Sequence, residues 1–198
     1  ERNGERRNRT ATPIAPAPRP PADAPLRWSA AALSVAVAFS CGWYLVADAT
    51  HARGVDAFAA GDMQAAWRHA GSAVTRNPLV DIYRVGGADA ALYGGASATD
   101  ALAMLDDGLV LESESYDLVL ARARVLSASG APPAEVMEAY LDAVERYPLG
   151  IEVNHAAIGV ALRLGYDDSA RDLAEDMLLA YPEDAVARDA LEGLVGGS

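Results

Sequence analysis

The chain of 198 residues has no lysine, a single cysteine, two phenylalanines and three histidines. Cys41 alone excludes a disulfide framework, and the scattered histidines leave no ligand set for a structural zinc site. So few aromatics and so few β-branched clusters argue for helix over sheet. Sixteen basic residues, all arginine, stand against 28 acidic ones, a net charge of −12. Affinity for a phosphate backbone comes from clustered cations, so this balance argues against nucleic acid as a partner. The 52% hydrophobic content suffices for one compact domain with attachments and falls short of two large domains.

The charge is unevenly spread. Residues 1–27 hold six arginines against Glu1, Glu5 and Asp23, whereas the rest holds ten arginines against 25 acids. Six of the eleven prolines also fall in this basic head, where they forbid helix, and 1–27 is expected to be disordered or extended. Trp28 to Ala47 then runs for 20 residues without a charge, long enough as a helix to span roughly 30 Å of hydrocarbon. Arg27 and Asp48 close its ends, and Trp28, Trp43 and Tyr44 fall where amphipathic rings favour the headgroup level. A transmembrane helix over 28–47 is expected. The arginine excess places the head in the cytoplasm and the acidic body outside it. A buried core helix, or a signal cleaved at Ala47-Asp48-Ala49 or before Cys41, is the competing reading. Ala30, Ser34, Ala38 and Gly42 lie four apart on one face, a pattern suited to packing against other transmembrane helices.

Beyond Asp48 the sequence repeats. Arg76-Asn77-Pro78-Leu79, Arg146-Tyr147-Pro148-Leu149 and Ala180-Tyr181-Pro182-Glu183 are equivalent junctions. Pro148 and Pro182 are 34 residues apart, and Pro78 and Pro148 are 70 apart, which puts a further junction near Ser113. Four helix pairs follow, over about 48–80, 81–113, 114–148 and 149–182, with an amphipathic capping helix over 184–195. Residues of the same register, most of them small, recur inside the pairs: Gly54, Gly61, Ala66 and Ala73 in the first, Ala101, Leu105 and Gly108 in the second, Gly130, Tyr140 and Ala143 in the third, Gly165 and Ala170 in the fourth. The second pair needs one extra residue in its turn after Gly94-Gly95. No proline interrupts Trp28 to Ala60, so the span and the first repeat helix can form one rigid rod.

This pattern resembles tetratricopeptide repeats, without the large aromatic usual early in the first helix. The resemblance implies an all-α fold: one transmembrane helix, then an α-solenoid of about four helix pairs and a cap. It also implies a groove for a peptide or protein partner, lined by the first helix of each pair. By the repeat register the groove candidates are His51, Val55, Phe58, Ile82, Val85, Leu92, Tyr93, Leu118, Val125, His155 and Arg163. They are mostly apolar, with Arg163 the one cation, so a peptide or partner helix suits them better than an acidic ligand, and several would serve equally as core.

No catalytic constellation stands out. Gly86-Gly87 and Gly94-Gly95 lack the lysine or strand of a phosphate loop, and His51, His69 and His155 lie in separate helices. Asp106-Asp107 and Asp167-Asp168 read as solvated helix ends. No catalytic residue, metal or cofactor is assigned. The order of basic segment, alanine-rich span and repeat tail, in a chain that starts at Glu1, resembles the C-terminal part of bacterial O-antigen ligase or polymerase-like membrane proteins. That resemblance implies an accessory part of a protein that transfers lipid-linked glycans. The alternative is a free-standing single-pass scaffold protein of the bacterial envelope.

Overall fold

The computed structural model describes residues 24–196, with side chains at 29 and from 32 onward. The expectations for residues 1–23 and for the side chains of Trp28 and Ala30 fall outside the described residues. Among the described residues the chain is all-α. Its helices are α1 (Ala24–Ala59), α2 (Met63–Arg76), α3 (Asp81–Ala90), α4 (Ala98–Leu111), α5 (Tyr116–Ala128), α6 (Pro133–Arg146), α7 (Ile151–Leu164), α8 (Asp167–Ala180) and α9 (Ala185–Gly196). A short π-helical segment, Ala91–Gly95, follows α3. The chain divides into two units, residues 1–41 and 42–198.

α1 is already helical at Ala24, ahead of the expected Trp28. Every residue from Ala32 to Val46 is exposed; from Ala47 onward the helix is packed, with Ala47, Thr50 and Gly54 buried. The helix is long and apolar enough to cross a membrane, with a mean hydropathy of 1.5 in its most apolar window.

The rest is a stack of four helix pairs, the packed end of α1 with α2, then α3 with α4, α5 with α6 and α7 with α8, closed by α9. Each turn inside a pair holds a glycine in the left-handed region, Gly61, Gly94, Gly130 and Gly165, where a Cβ would clash with the backbone. In the second pair the extra residue is taken up by the π-helical segment, in which Tyr93 and Gly94 leave helical φ/ψ. Side-chain caps set several helix starts: Asp62 accepts from the Ala65 N–H, and Ser97 with Asp100 forms a reciprocal capping box.

Small side chains let paired helices approach. Ala66 and Ala73 are 3% and 0% exposed, and a Cβ on Gly54 would sit 3.2 Å from the Cβ of His69. Ala73→Leu is therefore expected to destabilise the first pair by about 1–3 kcal/mol in urea unfolding, because the added carbons have no space to enter. Larger apolar side chains take over along the chain. Leu105, Leu118 and Val125 centre one buried cluster, and Tyr140, Val153, Ile158 and Met177 belong to the next.

Side-chain hydrogen bonds stitch successive pairs at their junctions. The Tyr147 hydroxyl donates to the Glu114 carbonyl, Tyr181 to that of Leu149 at 2.9 Å, and Arg146 to that of Ser113 at 2.8 Å. A second set acts within the three junctions that hold a proline, where the side chain six residues beyond it donates to the proline carbonyl: Arg84 to Pro78, Asn154 to Pro148 at 3.1 Å, Arg188 to Pro182 at 3.1 Å. Proline follows α2, α6 and α8 but leaves a carbonyl in want of a donor, and these side chains supply it. Arg84 does so while only 3% exposed, covered by α4, where a Cβ on Gly108 would lie 2.6 Å from its Cδ.

Candidate functional site

The first helices of successive pairs, α1, α3, α5 and α7, form one face, and two hollows open on it. The smaller, about 160 Å3, lies among α1, α2 and α3, lined by His51, Gly54, Val55, Phe58, Ala66, Ala70, Gly86 and Asp89. Glycine and alanine make this space, since each replaces a side chain that would fill it. The larger, about 700 Å3, runs from the π-helical segment across α5 to α7 and includes Leu92, Tyr93, Arg124, Ser127, Tyr140, His155, Gly159 and Arg163. Asp89 borders both hollows. The ring of Phe58 meets that of Tyr93 edge-on, with centroids 5.7 Å apart, so an aromatic ridge joins the two spaces.

The structure brings seven of the sequence-derived candidates onto this face: His51, Val55 and Phe58 in the smaller hollow, Leu92, Tyr93, His155 and Arg163 in the larger. The other four lie elsewhere. Leu118 and Val125 are 0% and 1% exposed and belong to the core, packed with Ala88 and Leu105 on the inner side of α5. Val85 is half-buried against the same cluster, and Ile82 is 53% exposed but lines neither hollow. Helical periodicity explains why the sequence leaves both places open to them: groove-facing and core-facing positions are one step apart on a helix, and in this chain both are apolar.

Arg124, which the register reading passed over, adds a second guanidinium to Arg163. Its signal was present, for it stands one repeat beyond Asp89 and one before Gly159 on the same face. Arg124 is ion-paired with Glu152, and Arg163 donates to the Ser127 hydroxyl at 2.9 Å. Tyr140 lies between them, and burial pushes its hydroxyl above the ordinary range while both guanidiniums pull it back. This end of the face therefore presents polar donors beside an apolar aromatic ridge, a surface suited to an extended or helical polypeptide with a mixed sequence.

Asp89 is raised above the ordinary carboxylate range by burial, with Arg124 partly opposing. A raised folded-state value means that the ionised form is the costly one, so stability falls as the pH rises through the carboxylate range. Asp89→Asn is thus expected to raise the melting temperature at neutral pH, with the gain shrinking as the buffer is taken down toward pH 4; a gain that persists unchanged in acid would contradict the burial argument.

His155 is held from the other side. Its Nε2 is 2.8 Å from Oδ2 of Asp184, whose Oδ1 accepts the Ala187 N–H at 2.9 Å and so caps α9. Asp184 is lowered from its ordinary value, mainly by that backbone bond and then by His155. Its contribution is present at neutral pH and is lost as the pH falls below the ordinary carboxylate value. Asp184→Ala should cost about 0.5–2 kcal/mol through the lost cap, with amide protection vanishing from α9 first.

The fold is that of a tetratricopeptide-like helical repeat. Solved structures of similar fold include a tetratricopeptide repeat protein from Parabacteroides merdae, at 16% identity and a TM-score of 0.61, covering 76% of this chain and 60% of that one. A thermophilic tetratricopeptide protein of Thermus thermophilus is similar at 19% identity and a TM-score of 0.59, covering 75% and 81% of the two chains. A complex of Naa15 and Naa10 bound to HypK-THB aligns at 14% identity and a TM-score of 0.56, covering 76% of this chain and 23% of that one. No family model matches the sequence, and no curated protein does.

Proposed function

We propose that the chain is a membrane-anchored interaction module, with residues 1–27 as a basic cytoplasmic segment, 28–47 as the transmembrane helix and 48–195 as an extracytoplasmic repeat domain on the bacterial inner membrane. One observation carries the anchor: α1 exposes a mostly apolar run without a single charge from Ala32 to Val46, and buried positions begin at Ala47. In water that surface would cost far more than any helix propensity recovers, whereas in lipid it is at home. The partner is a peptide or helix laid across Phe58, Tyr93 and Arg163, in keeping with a neighbour of similar fold that occurs in a multi-protein assembly. The finer reading is that the module is the accessory tail of an O-antigen ligase-like glycan-transferring protein, packed against its other transmembrane helices. It rests on the order of basic segment, span and repeat tail, and the coding sequence upstream of Glu1 tests it.

The anchor is tested by fractionating cells that express the full chain. It is expected in the membrane pellet after alkaline carbonate washing and in the supernatant only with detergent, and Val37→Arg with Phe39→Arg should release it. A wild-type chain recovered in the aqueous supernatant would end the membrane reading. For the groove, a photocrosslinker at Leu92 should capture a polypeptide that one at Glu138, on the outer side of α6, does not, and Arg163→Glu should reduce the capture.

A further inference from the structure

We infer that the first junction of the repeat stack, from Arg76 to Val80, rests on the anionic headgroup layer of the bilayer. This deepens the membrane reading above and depends on it. Trp43 lies in the uncharged run of α1, and its Nε1–H donates to the carbonyl of Arg76, the last residue of α2, at 2.9 Å. The indole remains 47% exposed, as does the neighbouring Tyr44 ring. An amphipathic ring at the end of a membrane span settles at headgroup depth, its apolar part toward the chains and its N–H toward polar acceptors. Here the acceptor is the protein's own carbonyl, so the depth of Trp43 becomes the depth of the junction. Leu79, three residues on, is 69% exposed, with no packing role that would explain an aliphatic side chain there.

Charge points to the same occupant. In a body that is strongly acidic, the stretch from Met63 to Val80 contains no aspartate or glutamate and carries Arg68 and Arg76. Every other helix of the stack after α1 holds at least one acid. The third junction repeats the Arg-x-Pro-Leu pattern and leaves Leu149 66% exposed, but there Arg146 is drawn to Asp142 at 3.0 Å and to Glu114 at 4.0 Å. At the first junction Arg76 turns back onto Ser72, donating to its carbonyl at 2.7 Å and to its hydroxyl, and no carboxylate among the described residues pairs with the guanidinium. A cation beside an exposed leucine and two interfacial aromatics is the chemistry of a lipid phosphate surface.

The experiment uses the full chain in vesicles of phosphatidylcholine with phosphatidylglycerol, in a Cys41→Ala background. An environment-sensitive label is placed at Leu79→Cys and, at the opposite end of the same helix pair, at Ala60→Cys. The label at 79 should emit to the blue and lose most of its emission to headgroup-quenching lipids, whereas that at 60 should behave as in water. Arg68→Glu with Arg76→Glu should weaken the quenching at 79, and omitting phosphatidylglycerol should do the same. If the label at 79 is as wet as that at 60 while the chain still floats with the vesicles, the inference fails and the span stands. If the chain does not float at all, the span fails with it.

Discussion

Tyr83→Ala is expected to remove about 3–5 kcal/mol from the repeat domain, the range for deleting a large buried aromatic. Tyr83 is the third residue of α3 and is 1% exposed, in the small core it shares with Ala47 and Ala73. Its ring lies 4.9 Å from that of His51, and its hydroxyl donates to Asp48, so one side chain ties the second helix pair to the start of the first. Its buried neighbours in that core, Ala47 and Ala73, cannot swing in to fill the space, so a cavity remains. Because repeats couple only to their neighbours, the loss should be local. Amide exchange in the full chain should accelerate across residues 47–76 while α5 to α8 keep their protection, and a uniform loss over the whole stack would contradict the nearest-neighbour picture. Tyr83→Phe keeps the ring and should cost only about 1 kcal/mol, since Asp48 can turn to water. The hydroxyl pKa is pushed up to about 12, first by burial and then by Asp48. A raised acid holds its proton longer when folded, so its contribution is complete below pH 10 and is lost between pH 10 and 12, a decline that the phenylalanine variant should not show.

The repeat period was legible because its markers are backbone requirements. A glycine is needed wherever the chain turns through the left-handed region, and a proline ends a helix whatever surrounds it, so Gly61, Gly130, Gly165, Pro78, Pro148 and Pro182 announced themselves. The junction at Ser113 has no proline and was found only by spacing. What stayed hidden depends on neighbours distant in sequence. Leu118 and Leu92 are alike in sequence, and only the packing of α3 and α4 over α5 buries the first fully while leaving the second half-buried at the edge of the hollow. Arg84 reads as a solvated cation, yet it is buried because the Pro78 carbonyl needs a donor and Gly108 leaves room for the side chain. The extra residue in the second turn was visible as a mismatch of register, but not its resolution as a π-helical segment, which follows from the close approach of α2.

That approach makes Gly95→Ala the most disruptive single methyl expected in the turn regions. A Cβ at Gly95 would stand 2.4 Å from the Met63 carbonyl oxygen, 2.8 Å from that of Ala90 and 3.0 Å from the Met63 carbonyl carbon, all backbone. No rotamer change relieves such contacts; either the first turn of α2 lifts away or the π-helical segment unwinds. The cost should be about 3 kcal/mol, at or beyond the upper end for overpacking. Gly108→Ala is the control. Its Cβ would also come close, 2.6 Å from Arg84 Cδ and 2.7 Å from Leu118 Cδ1, but these are side-chain atoms and not backbone, so a smaller cost, about 1–2 kcal/mol, is expected. Equal melting temperatures for the two variants would show that the α2 contact is not rigid. The two should also differ at the groove. The π-helical segment carries Tyr93 against Phe58, so displacing it should open the ridge between the two hollows and abolish capture by a crosslinker at Leu92. The Gly108 variant, with that ridge untouched, should lose stability but keep the capture.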